Sequence, residues 1–304
     1  MPILRFEQFA VKKTELGVMP GLTINFMRYN NLGPAAQLVE GVRMQTNALT
    51  ASQFQITVAE QGFAIAVSEL LLNASFDDVM ATGARLLGRN MALYLDSSAR
   101  DTLYQATSVT YGYELPSVST AQYGAYQHGT PGTSRASLTS DFYLTTSTVK
   151  DAVETLATKN VPRLGDTYVS FVNPHQSRRL RDVPEFIEVT KYAAPGNFML
   201  GEIGRIFDCV FIETTQVRKT VGGAGAGYTT DTADGNGGFT GDGAADRHDA
   251  LFIGDNAFGH AISLPVELRD GGILDFGREH ALAWYAIWGF GLITDQSVLV
   301  ASTN

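Results

Sequence analysis

The sequence predicts a mixed α+β fold. Three observations carry that prediction. Apolar residues alternate over Leu22–Phe26 and again over Phe54–Val58. One long amphipathic helical pattern begins near Ser75. The chain then closes on two β segments, Ala281–Ser302, around Gly289-Phe290-Gly291. Helix and strand patterns do not alternate in βαβ order, which argues against a doubly wound parallel sheet.

Residues 1–20 show no clean period and read as an arm. Leu22, Ile24 and Phe26 alternate with Thr23 and Asn25, the pattern of a half-buried strand. Asn30–Pro34 is a turn cluster and Leu38–Val42 an irregular segment. Phe54, Ile56 and Val58 continue the alternation at even positions, whereas Phe63, Ile65 and Val67 are odd. A one-residue shift inverts a strand's face, so a bulge or bend is expected at Glu60-Gln61-Gly62. A two-stranded arm cannot bury its apolar face on itself. The faces Leu22–Phe26 and Phe54–Val58 are therefore expected to lie on a neighbouring copy, and deletion of residues 22–58 to leave a soluble body that cannot assemble.

Ser75 with Asp78 reads as a capped helix start. Met80, Ala84, Leu87, Met91, Tyr94, Leu95 and Ser98 keep one stripe, with Arg85, Arg89, Asp96, Arg100 and Asp101 mostly off it. The helix is expected to run to about Gln105, about 30 residues and 45 Å. Gly83 and Gly88 each weaken it by about 1 kcal/mol relative to Ala; close packing of another backbone or simple tolerance would each account for them.

Residues 107–140, rich in Tyr, Ser, Thr and Gly, read as strands and loops. Thr148 with Asp151 opens a second helix that ends near Lys159-Asn160, before Pro162. Thr167–Val172 is a strand stopped by Asn173-Pro174, Gln176–Arg181 a short helix and Ile206–Ile212 another strand. Residues 221–246, with nine glycines between Gly222 and Gly243, form a low-complexity loop, and order resumes at Ala250–Ile253.

Composition narrows the function. The 304 residues are 44% hydrophobic but only 17% charged, below the usual share of about a quarter. A net charge of −9 and a pI near 5.0 argue against a basic nucleic-acid grip. Met1–Leu4 is followed at once by Arg5 and Glu7, unlike a signal peptide, and Ala281–Thr294 is too short and Gly-broken to span a membrane.

The single Cys209 sits among apolar residues and reads as a buried strand thiol. No nucleophile elbow, zinc helix, P-loop or paired-cysteine motif occurs, and the Gly222–Gly227 run does not match a dinucleotide loop. Asp231, Asp234, Asp242, Asp246 and Asp249, with Asn236, are the best oxygen-ligand set for calcium. Their spacing matches no EF-hand or glycine-rich nonapeptide, so they read as a solvated acidic loop. The histidines His128, His175, His248, His260 and His280 are scattered; His175 reads as a turn or cap residue and His248-Asp249 as half of an acid–base pair without a nucleophile. No catalytic, cofactor-binding or metal residue is assigned, no cofactor is expected, and the chain reads as a non-enzyme.

Several short segments resemble one family: Leu38–Val42, Tyr168–Gln176 with Leu180, Gly201–Ile206 before Cys209–Glu213, and Gly254–Gly259. In this order they are similar to the major capsid proteins of tailed bacteriophages, of the HK97-type fold, and more narrowly to the phage N4 group. The resemblance implies an N-terminal arm at 1–20, an extended E-loop hairpin at 21–69 and a peripheral domain at 70–149 with a spine helix at 75–105. It implies an axial domain at 150–260 carrying the 221–246 surface loop, and return strands at 261–304. It further implies pentamers and hexamers that build an icosahedral shell around double-stranded DNA, without sequence-specific DNA binding, in a virion assembled in the host bacterial cytoplasm. Separate scaffolding, portal and decoration proteins are the expected partners, with no membrane contact. Some relatives weld their shells through an E-loop lysine; no lysine lies between Lys13 and Lys150, so the shell is expected to be non-covalent. Two other readings fit parts of the sequence: an encapsulin-like compartment shell, and a monomeric β-rich module with a calcium-binding loop.

Overall fold

The computed structural model of the chain describes residues 4–14, 23–29, 51–75, 77–114, 131–134, 142–181, 202–220, 228–229 and 247–303, with Leu138 and isolated positions between 35 and 49. After a short 3-10 turn at Glu7–Phe9, the N-terminal part holds β1 (Val11–Thr14), β2 (Thr23–Tyr29), β3 (Ala51–Thr57), β4 (Ala59–Ser68), α1 (Glu69–Ala74) and α2 (Val79–Leu103). The expected bulge at Gly62 is absent. β4 runs through it in unbroken register, Glu279 opposite Ser68 to Trp288 opposite Ala59. The inversion of parity falls instead at Val58, where the chain leaves β2, the partner of β3, for the partner of β4. Gly62 has another reason to be glycine: a Cβ there would sit 2.9 Å from the Trp284 carbonyl oxygen.

The long helix also starts later than expected. Ser75 closes α1, its N–H donating to Leu71 O at 3.0 Å, and the α2 cap is Asp78, whose Oδ1 accepts from Ala81 N at 3.0 Å. α1 itself is capped by Ser68, whose Oγ accepts from Leu71 N. α2 spans 25 residues. Leu87 and Leu95 of the stripe are buried, but Tyr94 is exposed and Asp96, placed off the stripe, is buried. A Cβ on Gly83 would meet Ile65 Cδ1 at 2.7 Å, whereas Gly88 faces open space.

The remainder contains β5 (Val109–Tyr111), β6 (Tyr113–Glu114), β7 (Phe142–Tyr143), α3 (Thr146–Thr158), β8 (Tyr168–Val172), α4 (Pro174–Arg181), β9 (Glu202–Ile206), β10 (Cys209–Glu213), β11 (Arg218–Thr220), β12 (Tyr228–Thr229), β13 (Arg247–Ile253), β14 (Phe258–Leu274), β15 (Glu279–Leu292) and β16 (Val298–Thr303). The cap of α3 lies three residues earlier than Thr148: Thr145 and Thr148 form a reciprocal capping box, and Asp151 instead receives the Tyr113 hydroxyl. Its end at Lys159 is where the sequence places it. Asn173 caps α4, accepting from His175 N at 2.9 Å, while Gln176 Oε1 accepts from Asn173 N at 3.1 Å; Pro174 occupies the first turn, where its missing N–H is harmless.

The single strand expected at Ile206–Ile212 is a hairpin. Phe207 and Asp208, both at positive φ, turn β9 into β10, as a two-residue loop of the mirror-image type requires. Gly289-Phe290-Gly291 does not separate two strands either; it lies within β15.

The chain divides into two compact units. Unit 1 comprises residues 1–11, 92–258 and 294–304; unit 2 comprises 12–91 and 259–293. Unit 1 is built on an eight-stranded mixed sheet with path β12-β11-β13-β8-β10-β9, in which β16 also pairs β13 and β5 pairs β16. β10 runs parallel to β8, and β13 antiparallel to β8, β11 and β16. Val149, Ala152 and Leu156 of α3 pack with Tyr168, Phe211, Phe252 and Leu299 in one apolar cluster. Phe6 enters unit 1 against Phe171, ring centroids 4.3 Å apart. Unit 2 holds the four-stranded sheet β1-β14-β15-β4 and the two-stranded β2–β3 ribbon.

Candidate assembly surface

Of the titratable residues singled out in the sequence, Cys209, His175, His248 and Asp249 lie in unit 1. Cys209 is buried in β10, and burial pushes its thiol up, away from the reactive thiolate. His248 and Asp249 lie on β13, both fully buried, so Asp249 belongs to the sheet and not to a loop. Asp249 Oδ1 accepts from Ser302 Oγ at 2.6 Å, and its Oδ2 lies 4.0 Å from Arg218 Nε. Its carbonyl accepts from the Tyr104 hydroxyl at 2.5 Å, and the Tyr104 hydroxyl oxygen in turn accepts from Arg218 N at 2.9 Å. Burial and the Asp249 charge push the Tyr104 pKa up, so the hydroxyl keeps its proton and donates.

His175 stacks on His248, centroids 5.4 Å apart, while its backbone N–H takes the Asn173 cap bond. His260 lies in unit 2, stacked on Phe290 at 4.3 Å, and His280 lies on β15. His128, Asp231, Asp234, Asn236, Asp242 and Asp246 fall outside the described residues, as does loop 221–246 apart from β12. Among the described residues no three His, Cys, Asp or Glu side chains are placed to hold a metal ion, and no helix is long and apolar enough to cross a membrane.

The arm residues are placed differently from the expectation. Leu22 is outside the described residues, but Ile24, Phe26, Ile56 and Val58 are buried within unit 2 itself. The ribbon packs so closely that a Cβ on Gly259 would lie 2.9 Å from the Phe26 ring, and one on Gly289 2.2 Å from the Thr57 carbonyl oxygen. These glycines admit the arm, and deleting residues 22–58 would therefore strip unit 2 of core residues as well as remove a contact.

What unit 2 leaves uncovered is a different apolar set. Of the fifteen large hydrophobic residues exposed among the described residues, twelve lie in unit 2, although it is the smaller unit. They include Met27, Leu38, Leu70, Leu86, Leu268 and Phe276. Each of these side chains stands in water in the single chain. The sequence reading missed α1; its signal was Leu70-Leu71-Leu72, three consecutive leucines that cannot all face one core from a helix.

No protein-family model matches the chain, and no curated protein sequence is similar to it. Solved structures are. The capsid of Ralstonia phage GP4 superposes with a TM-score of 0.71 at 18% identity, covering 100% of this chain and 91% of that one. The chain has the HK97-type capsid fold. The capsid of cyanophage P-SCSP1u gives a TM-score of 0.67 at 12% identity, covering 100% of this chain and 89% of that one. The head of Helicobacter pylori bacteriophage KHP40 gives 0.64 at 12%, covering 96% and 88%. The expected α+β capsid fold is thus the one observed.

Proposed function

We propose that the chain is the major capsid protein of a tailed phage, a structural subunit that assembles with copies of itself into a shell around double-stranded DNA. The observation that carries this is the likeness over essentially the whole chain to several phage capsid and head subunits. The concentration of exposed apolar side chains on unit 2 supports it independently. Many weak, repeated contacts suffice for a closed symmetric particle. Phage capsids and heads as neighbours favour this reading over a cargo compartment or a calcium-binding module.

Within this reading, unit 2 serves as the peripheral part with the E-loop arm, and unit 1 as the axial part. The N4-type segments, Tyr168–Gln176 above all, support placement in that group of capsid proteins. Scaffolding and portal proteins are the partners, and the virion is the site of action. The absence of lysine between Lys13 and Lys150 supports a non-covalent shell.

Expression of the chain followed by negative-stain microscopy tests the reading. Particles tens of nanometres across, or capsomers, are expected. A monodisperse species of about 33 kDa, stabilised by calcium, would contradict it. Denaturing electrophoresis of intact particles should show one subunit band; a ladder would refute the non-covalent shell.

A further inference from the structure

The turn joining β14 to β15 carries two unfavourable features at one residue. Phe276 is fully exposed, and its φ of 54° lies in the left-handed region, flanked by Asp275 at 48° and Gly277 at 96°. L side chains other than Asn and Asp rarely adopt that conformation. The turn is nonetheless fastened. Arg278 N donates to Asp275 O at 3.1 Å, Arg278 Nη1 lies 3.5 Å from Asp275 Oδ2, and Glu69 N donates to Arg278 O at 2.8 Å. An aromatic side chain held rigidly in water by a strained turn gives the isolated subunit nothing. Strained backbone and presented aromatic rings recur where proteins bind.

A matching surface lies at the same end of unit 2. The Glu69–Arg278 bond and the pairing of Ser68 with Glu279 place α1 beside the turn. There Leu70 and Leu71 are 79% and 49% exposed. Exposed Glu69 opens the same helix and the exposed carboxylates Asp77 and Asp78 follow it in the chain, whereas Phe276 is accompanied by Arg278, whose side chain is 78% exposed. An acid-rimmed leucine pair complements an aromatic ring beside an arginine in both shape class and charge.

We propose that Phe276 is an assembly anchor that seats on the Leu70–Leu71 surface of α1 in a second copy of this chain. The occupant is a second copy because both complementary halves are carried by one chain. Donor and receiver are different surfaces, so the contact is head-to-tail, the kind that forms a ring where its rotation closes. This inference rests on the shell-subunit reading and adds the residues that make one of its contacts.

The test uses the full chain. Phe276→Cys subunits and Leu70→Cys subunits are mixed, assembled and oxidised; the buried Cys209 does not compete. Expected is a disulfide between unlike variants in particles and none in unassembled subunits. Phe276→Glu should raise the threshold concentration for particle formation at least tenfold with the subunit Tm unchanged. Phe276→Gly, which relieves the turn, should raise the subunit Tm while impairing assembly. Assembly of Phe276→Glu at the wild-type threshold, or disulfides only between like variants, would overturn the proposal while leaving the shell reading intact. Failure of the unsubstituted chain to form any particle or capsomer would instead overturn the shell reading, and this contact with it.

Discussion

In unit 1, β8, β13 and β16 bury every residue from Tyr168 to Val172, from Arg247 to Ile253 and from Val298 to Thr303. In unit 2, β15 buries alternate residues over its centre, and β4 leaves most of its residues exposed. Strands covered on both faces must satisfy each polar group they carry. Unit 1 meets several of these needs within itself: Asp249 meets Ser302 and Arg218, and Gln176 Nε2 donates to His248 O at 3.2 Å and Thr303 Oγ1 at 2.7 Å. Unit 2 keeps one covered face and many apolar side chains in water. The difference separates a region whose strands are covered on both faces from a region that keeps apolar side chains in water.

Substitutions can break that comparison. The largest effect on the subunit belongs to unit 1: Phe252→Ala removes a fully buried ring packed edge-on against Phe211 at 6.4 Å. A loss of about 3–5 kcal/mol is expected in denaturant unfolding. Next is Asp96, whose Oδ1 accepts from Arg5 N at 2.9 Å and Phe6 N at 2.8 Å. Asp96→Ala orphans both donors and should cost about 2–3 kcal/mol. Burial pushes this carboxyl above its usual range, so its contribution is present at low pH and lost as pH rises through the raised value. Asp96→Asn keeps an acceptor without a buried charge and should remove that part of the pH dependence in acid unfolding curves.

Smaller, and confined to unit 2, is Gly289→Ala. Its Cβ would lie 2.2 Å from the Thr57 carbonyl oxygen, so β3 must shift, at about 1–3 kcal/mol by thermal unfolding. Smallest is Leu268→Ser, on an exposed strand position, where the subunit should change by less than about 0.5 kcal/mol. If Leu268→Ser unfolded the subunit as Phe252→Ala does, the contrast between the units would be lost.

Periodicity made the elements legible where one face is buried. Ile24, Phe26, Ile56 and Val58 alternate and are buried, and Val149 and Leu156 mark α3. Boundaries were less legible because several residues compete to cap. Ser75, Asp78, Thr145 and Thr148 all have capping side chains, and only tertiary context selects Asp78 and Thr145. Pairing was hidden altogether. The parity change near Val58 is visible in sequence, but that it marks a change of partner from β2 to β15 depends on contacts over 200 residues away in the chain. The candidate surface was misplaced for the same reason. An amphipathic arm shows that it needs a covering, and the sequence does not show that Gly259, Gly289 and Gly291 open the space for it in the same chain.

Hydrogen exchange of unassembled subunits against assembled particles tests the central claim most directly. New protection is predicted in unit 2, at α1 and at the Asp275–Arg278 turn, with β8, β13 and β16 equally protected in both states. Protection gained in those unit 1 strands, with α1 and the turn unchanged, would contradict it.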